Sequence, residues 1–321
     1  MVAEITPKKN KAGDPHSVLF TLRLKQVARW LVIPLCIAAT TGQCEETPPE
    51  ALDAAAPLTP STETLLQPIE PEQVRFALLA EKMDKESQIQ WLSAGTQSFL
   101  TLYRPSLGAS EQGAILIVAD LGRHPDWPGP ARHLRKSLPN HGWATLSMAS
   151  PHQVVQQGHT QGGPRPLPLT QANPQMTQRL QAAMTQIQGL GLYNIVVIAI
   201  GDAAPQTALA LANLPPSSHV GFIALAPWSV SDSQQNDLAE AFTNVPASVL
   251  ELTPALWPKL GLTKRKGMAD KKRHPNYSQV RLLGDVRHFH DSPQLLPRIR
   301  GWLKRNAESM QGKLQQADDK R

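Results

Sequence analysis

NIVVIAIGDAAPQTALALANL, residues 194–214, joins a β-branched apolar run to an alanine- and leucine-rich stretch through a few small residues. Residues 195–198 have strand character, and Pro205 opens a helical pattern, because proline suits the first turn of a helix and not its interior. The segment predicts a strand, a sharp turn and a helix. A turn this tight needs small residues two positions to either side of its strained central residue. Here Ala199 and Ala203 are the small pair, and Gly201 is the central residue.

The same alternation continues outward. Residues 114–119 and 143–148 read as strands, the first apolar throughout, as in strands buried on both faces of a parallel sheet. Residues 220–226, 248–252 and 279–283 add three more strands, while 130–138, 174–187 and 295–305 carry helical patterns. A helix over 72–86 and a hairpin of 89–92 with 99–103, turning at Ala94-Gly95, precede them. The expectation is one α/β domain over 73–308, a mostly parallel sheet of seven to eight strands with helices on both faces and antiparallel strands at the N-terminal edge. The long Gly/Pro/Gln stretch 152–173 reads as a loop, in keeping with 29 prolines in 321 residues.

The ends read differently. Arg23, Lys25 and Arg29 precede an apolar run over 30–39, then Thr40, Thr41 and Gly42, the build of an export signal cleaved near 40–44 or of an anchor formed by 30–42. That run is too short to span a bilayer as a helix. Residues 45–72 read as a Pro/Ala/Thr/Glu-rich tether and 309–321 as a disordered tail. A periplasmic or otherwise exported protein is expected, touching membrane only through an uncleaved leader. Residues 1–44 hold six Lys or Arg against two acids, so most of the formal charge of +6 belongs to the leader and lends no support to nucleic-acid binding. Cys36 lies in the leader and Cys44 at its end, so no internal disulfide is expected.

GAILIVADLGRHPDWPGPARHLRKSLPNHGWATLSMASP, residues 113–151, contains Gly122-Arg123-His124-Pro125-Asp126-Trp127-Pro128. It resembles a bacterial α/β-hydrolase-like family of unknown function whose members share Gly-x-His-Pro-Asp-Trp-Pro after the third strand. The resemblance runs from about Phe99 to Lys304 and implies an α/β-hydrolase-like fold, without lending an activity. Members usually carry His-Gly-x-Gly where this chain has Ala119-Asp120-Leu121-Gly122, and Gly-His where it has Ala199-Ile200. They often have glycine at the nucleophile position, so Gly201 is a trait of the group.

In that fold a serine at the elbow attacks, a histidine takes its proton, and a carboxylate orients the histidine. Gly201 supplies no hydroxyl. Asp202, one residue on, is either an alternative nucleophile or the N-cap of the following helix. His288, after the last strand, occupies the place of the base, as a working group or a structural remnant. The loop after 248–252 offers no carboxylate; Asp232 is an alternative acid or a helix cap. An oxyanion hole would draw on backbone N–H groups near Asp120 or Leu121 and at Asp202, where acidic side chains oppose a developing negative charge unless they turn away.

Other signals stand apart from the triad. His124, Asp126 and Trp127 lie where ligands bind in open α/β sheets, or else form a plug with Trp127 buried and Asp126 capping the next helix. Lys264, Arg265, Lys266, Lys271, Lys272 and Arg273 make a basic run read as a solvated loop, or as a dock for an anionic headgroup or cell-wall polymer. The histidines have no metal-ligand spacing, and no cofactor motif is present. The reading is of a binding protein with degenerate catalytic parts, its partner a small molecule, an envelope component or a protein. The alternative is a hydrolase working through Asp202 or through water activated by His288.

Overall fold

The computed structural model describes residues 72–151, 171–227, 232–257, 259–283 and 292–307, all within one compact unit, Leu66–Arg321. The leader, nearly all of the tether, the tail and His288 lie outside the described residues.

A helix, α1 (Glu72–Glu81), leads into β1 (Gln88–Ala94) and β2 (Gln97–Arg104), which pair antiparallel. Then come β3 (Gly113–Val118), α2 (Pro130–Ser137), β4 (Trp143–Met148), α3 (Pro174–Gly189), β5 (Ile195–Ile200), α4 (Ala203–Ala212) and β6 (Gly221–Leu225). The remaining elements are α5 (Asp232–Thr243), β7 (Ser248–Pro254), α6 (Lys259–Lys271), β8 (Tyr277–Leu282) and α7 (Leu295–Asn306). The strand order is β1-β2-β4-β3-β5-β6-β7-β8, parallel from β4 to β8. The expected mostly parallel sheet is therefore present, with eight strands.

Side chains leave a strand alternately to its two faces, and each face has its own core. Leu116, Leu146, Val197 and Phe222 pack with Leu180 and Met184 of α3, Leu211 of α4 and Phe242 of α5. Ile115, Ile198, Ile223 and Leu252 pack on the other face with Leu134 of α2 and Ile299, Trp302 and Leu303 of α7. The whole of β3 and β5 is buried, because both of their faces are covered.

Two expectations need correction. The first helix ends at Glu81 and not near 86: Asp84 and Ser87 instead form a turn, and Asp84 pairs with Lys136 at 2.9 Å. The basic run from Lys264 to Lys271 lies in a helix, α6, and not in a loop, with Lys272 and Arg273 in the turn after it. Its buried stripe is Leu262, Arg265 and Ala269, a helical spacing whose middle member is charged, so the apolar period is broken in sequence while intact in space. Arg265 is neutralised by Glu251 of β7, which also accepts bonds from Tyr277 Oη at 2.7 Å and Gln279 Nε2 at 2.8 Å.

Candidate functional site

The parallel strands deliver the loops after β3 and β5 to the same end of the sheet, where adjacent strands bring Asp120 and Gly201 together. Gly201 has φ +58°, a left-handed conformation at the sharp turn between β5 and α4. Its N–H donates to Leu225 O at 2.8 Å, and its carbonyl accepts from Ala204 N at 3.2 Å, so the turn is held from both sides. The elbow is present in backbone. Across from it, Ala119 N donates to Met148 O at 2.9 Å and Ser150 Oγ bonds Ala119 O, fixing the loop that presents Asp120.

Asp120 points inward. Its Oδ1 accepts from Leu121 N at 2.8 Å and from Asp202 N at 2.9 Å. These are the two backbone donors that would form an oxyanion hole in this fold, and donors bind an oxyanion at about 2.7–3.1 Å. The carboxylate oxygen thus stands where the oxyanion of a tetrahedral intermediate would be. Burial pushes the Asp120 carboxyl above the usual range, against the two N–H bonds and the charge of Arg123, which pull it down. Asp202 is raised as well, first by partial burial and then by the neighbouring Asp120 charge.

Asp202 occupies the N-cap position of α4, but its side chain makes no capping bond, so the cap expected of it is absent. Asp126 likewise caps nothing; the residue ahead of α2 is Gly129. Its carboxylate is buried and meets Arg135 at 2.6 Å and Arg132 at 2.9 Å, while Arg135 also bonds Ser87 Oγ. Those ion pairs fasten the loop to α2. Trp127 is 38% exposed and not buried, with the Arg123 guanidinium 4.1 Å from its ring centroid. His124 packs edge-on against Trp127 and against Phe76 of α1. Its titration is lowered, chiefly by burial.

Of the sequence-derived site, the structure brings Asp120, Gly201 and Asp202 into one cluster and places His124 and Trp127 on the loop beside it. Asp232 opens α5, and among the described residues no hydroxyl side chain sits at the elbow turn. Sequence reasoning missed Arg123, Arg132 and Arg135 as partners of the loop. The spacing of Arg132 and Arg135 on one helix face was the available signal.

The fold has solved counterparts. An esterase from Pyrococcus furiosus, Pf2001, superposes with a TM-score of 0.52 at 12% identity, covering 69% of this chain and 92% of its own. The dienelactone hydrolase from Anabaena variabilis gives 0.51 at 13%, with 70% and 100% covered. A 2,6-dihydroxy-pseudo-oxynicotine hydrolase gives 0.52 at 12%, with 73% of each chain covered. Such likeness is one of fold, and the fold is α/β-hydrolase-like. No curated protein matches the sequence. The model of the family described as Protein of unknown function (DUF3530) matches residues 28–166 and 159–305, and the chain belongs to that family.

Proposed function

We propose that this is an exported α/β-hydrolase-fold protein that binds a ligand or partner at the elbow end of its sheet without turning it over. The observation that carries this reading is the Asp120 carboxylate bonded to both Leu121 N–H and Asp202 N–H. Acyl transfer requires those donors to be vacant for the substrate oxygen. Evicting Asp120 would cost two charge-assisted bonds, about 1.5–3 kcal/mol each. With no hydroxyl at Gly201 to gain from the eviction, the arrangement favours binding over catalysis. Arg123, Trp127 and His124 supply a mixed cationic and aromatic rim suited to a small molecule, an envelope component or a protein segment. The leader carries the proposal of export to the periplasm, by cleavage or as an anchor.

A second reading has one observation behind it: the uncapped Asp202 carboxyl is free to attack an electrophilic carbon. In that case Asp202, or water activated by His288, would sustain a hydrolase. An esterase survey with fluorophosphonate labelling, run on the full chain, on Asp202→Asn and on His288→Ala, separates the two. Binding without turnover is expected. Turnover lost in either variant would overturn the degenerate reading.

A further inference from the structure

We propose that the cleft between α7 and the start of β4 is an anion site that takes a phosphoryl group. It lies at the other end of the sheet from the elbow. Asp120 and Gly201 follow the carboxyl ends of β3 and β5, whereas Trp143 begins β4 and His141 ends the short 3-10 turn Leu138–His141 before it. The proposal is therefore independent of the function argued for the elbow.

The cleft has a volume of about 380 Å³ and is lined by His141, Trp143, Pro297, Arg300, Gly301 and Lys304. Arg300 and Lys304 stand four residues apart on α7, so both side chains leave the same helix face, and His141 meets them from the opposite wall. Among the described residues no carboxylate lines the space. Many of the chain's other cations are paired: Arg132, Arg135, Arg179 and Arg265 each meet an acid. None of Arg300, Lys304 and His141 has an ion-pair partner among the described residues.

Gly301 is the second observation. Glycine inside a helix costs about 1 kcal/mol relative to alanine. Packing does not require it here, since the nearest atom to an added Cβ is Arg305 Nη1 at 3.6 Å. Its missing side chain leaves the wall of the cleft open between the two cations. A guanidinium fork, an ammonium point charge and an imidazole around a space of this size match a tetrahedral dianion with several acceptor oxygens. Trp143, buried beneath, gives the cleft a rigid floor.

His141 reports on occupancy. Its titration sits below the ordinary histidine value because of partial burial and then the Arg300 charge. The charged groups facing it from α7 are Arg300 and Lys304, and β4 contributes only the neutral Trp143. A bound dianion counters the cations and raises that titration.

The test follows the imidazole resonance of His141 in the full chain while inorganic phosphate, and separately glycerol 1-phosphate, is added, with a second arm measuring binding to phosphatidylglycerol vesicles. An upward movement of about half a pH unit or more is expected with the soluble phosphates. It should vanish in the Arg300→Gln/Lys304→Gln double variant and require about tenfold more phosphate in Gly301→Leu, which fills the cleft and leaves its charge intact. Vesicle binding that the double variant abolishes, with no response to soluble phosphate, would identify the phosphoryl group as a lipid headgroup. Loss of neither response in the double variant, or absence of both in the unsubstituted chain, overturns the proposal.

Discussion

The carboxylate of Asp120 fills the space that a side chain on residue 201 would enter. An ideal Cβ at Gly201 would lie 2.5 Å from Oδ1, 2.6 Å from Cγ and 2.7 Å from Oδ2 of Asp120. Oδ1 meanwhile accepts from Leu121 N–H in the loop after β3 and from Asp202 N–H at the elbow. The two departures from hydrolase chemistry therefore form one device: the acid fits only because the elbow is bare, and it takes up the two N–H groups that an oxyanion would otherwise use.

That dependence predicts a coupling. Gly201→Ala places a Cβ in the left-handed region, costing about 1–2 kcal/mol, and displaces Asp120 from bonds worth about 1.5–3 kcal/mol each. Urea denaturation should register a loss of about 4 kcal/mol or more. In an Asp120→Gly background the same substitution should cost only the backbone share, so the double-mutant cycle should show about 3 kcal/mol of coupling. Equal losses in both backgrounds would disprove the contact.

The elbow was legible in sequence because a run of β-branched residues gives way abruptly to small ones and then to helix formers around Pro205. The direction of Asp120 was not, since it depends on a contact between residues 82 positions apart. Local pattern likewise assigned Asp126 and Asp202 to helix caps, the usual duty of an aspartate just ahead of a helix. Neither serves it: Arg135 binds the first, and the second already has a helical backbone, φ −71° and ψ −14°, where a capping residue is extended. Helix α6 escaped for the same reason: Arg265 looks solvated until Glu251, in a buried strand, gives it a partner.

Asp126 is expected to matter for folding more than for binding. Arg135 is fully buried, and removing its closest carboxylate strands that charge, although Asp84 at 3.6 Å remains. Losing one partner of a buried pair costs about 3–5 kcal/mol. Asp126→Ala should lower stability by about 3 kcal/mol in chemical denaturation. Trp127→Ala, which removes a half-open ring and its stacking with Arg123, should cost about 1 kcal/mol. A reversed order would mean that the loop is held by its aromatic residue and not by the ion pair.

The Glu251–Arg265 pair allows a sharper contrast. Glu251→Ala leaves Arg265 buried and without its counter-charge, with Tyr277 Oη losing its acceptor and Gln279 Nε2 keeping only its other bonds, such as that to Leu262 O, and about 3–5 kcal/mol should be lost. The double variant Glu251→Leu/Arg265→Met removes both charges and should recover most of that. Thermal melts of the three proteins suffice; a double variant no better than Glu251→Ala would show that the polar network itself, and not charge balance, secures α6.

Acid should act on this fold in two opposed ways. His219 is buried, and burial lowers its titration to about 4 from 6.5. Between those values the unfolded chain takes up a proton that the folded chain refuses, so stability present above pH 6.5 is lost as pH falls toward 4, by up to about 3 kcal/mol. Asp120 and Asp202 are raised, so over the range just above the ordinary carboxylate value the folded chain holds protons that the unfolded chain has released. Their contribution is present at low pH and is lost as pH rises. Tm measured against pH should therefore fall less steeply below pH 6.5 in His219→Leu than in the unsubstituted chain. Asp120→Asn, which keeps an acceptor for Leu121 and Asp202 without the charge, should remove part of the opposite slope and fall more steeply toward acid. Parallel curves for all three proteins would show that neither the buried imidazole nor the elbow carboxylates govern the acid response.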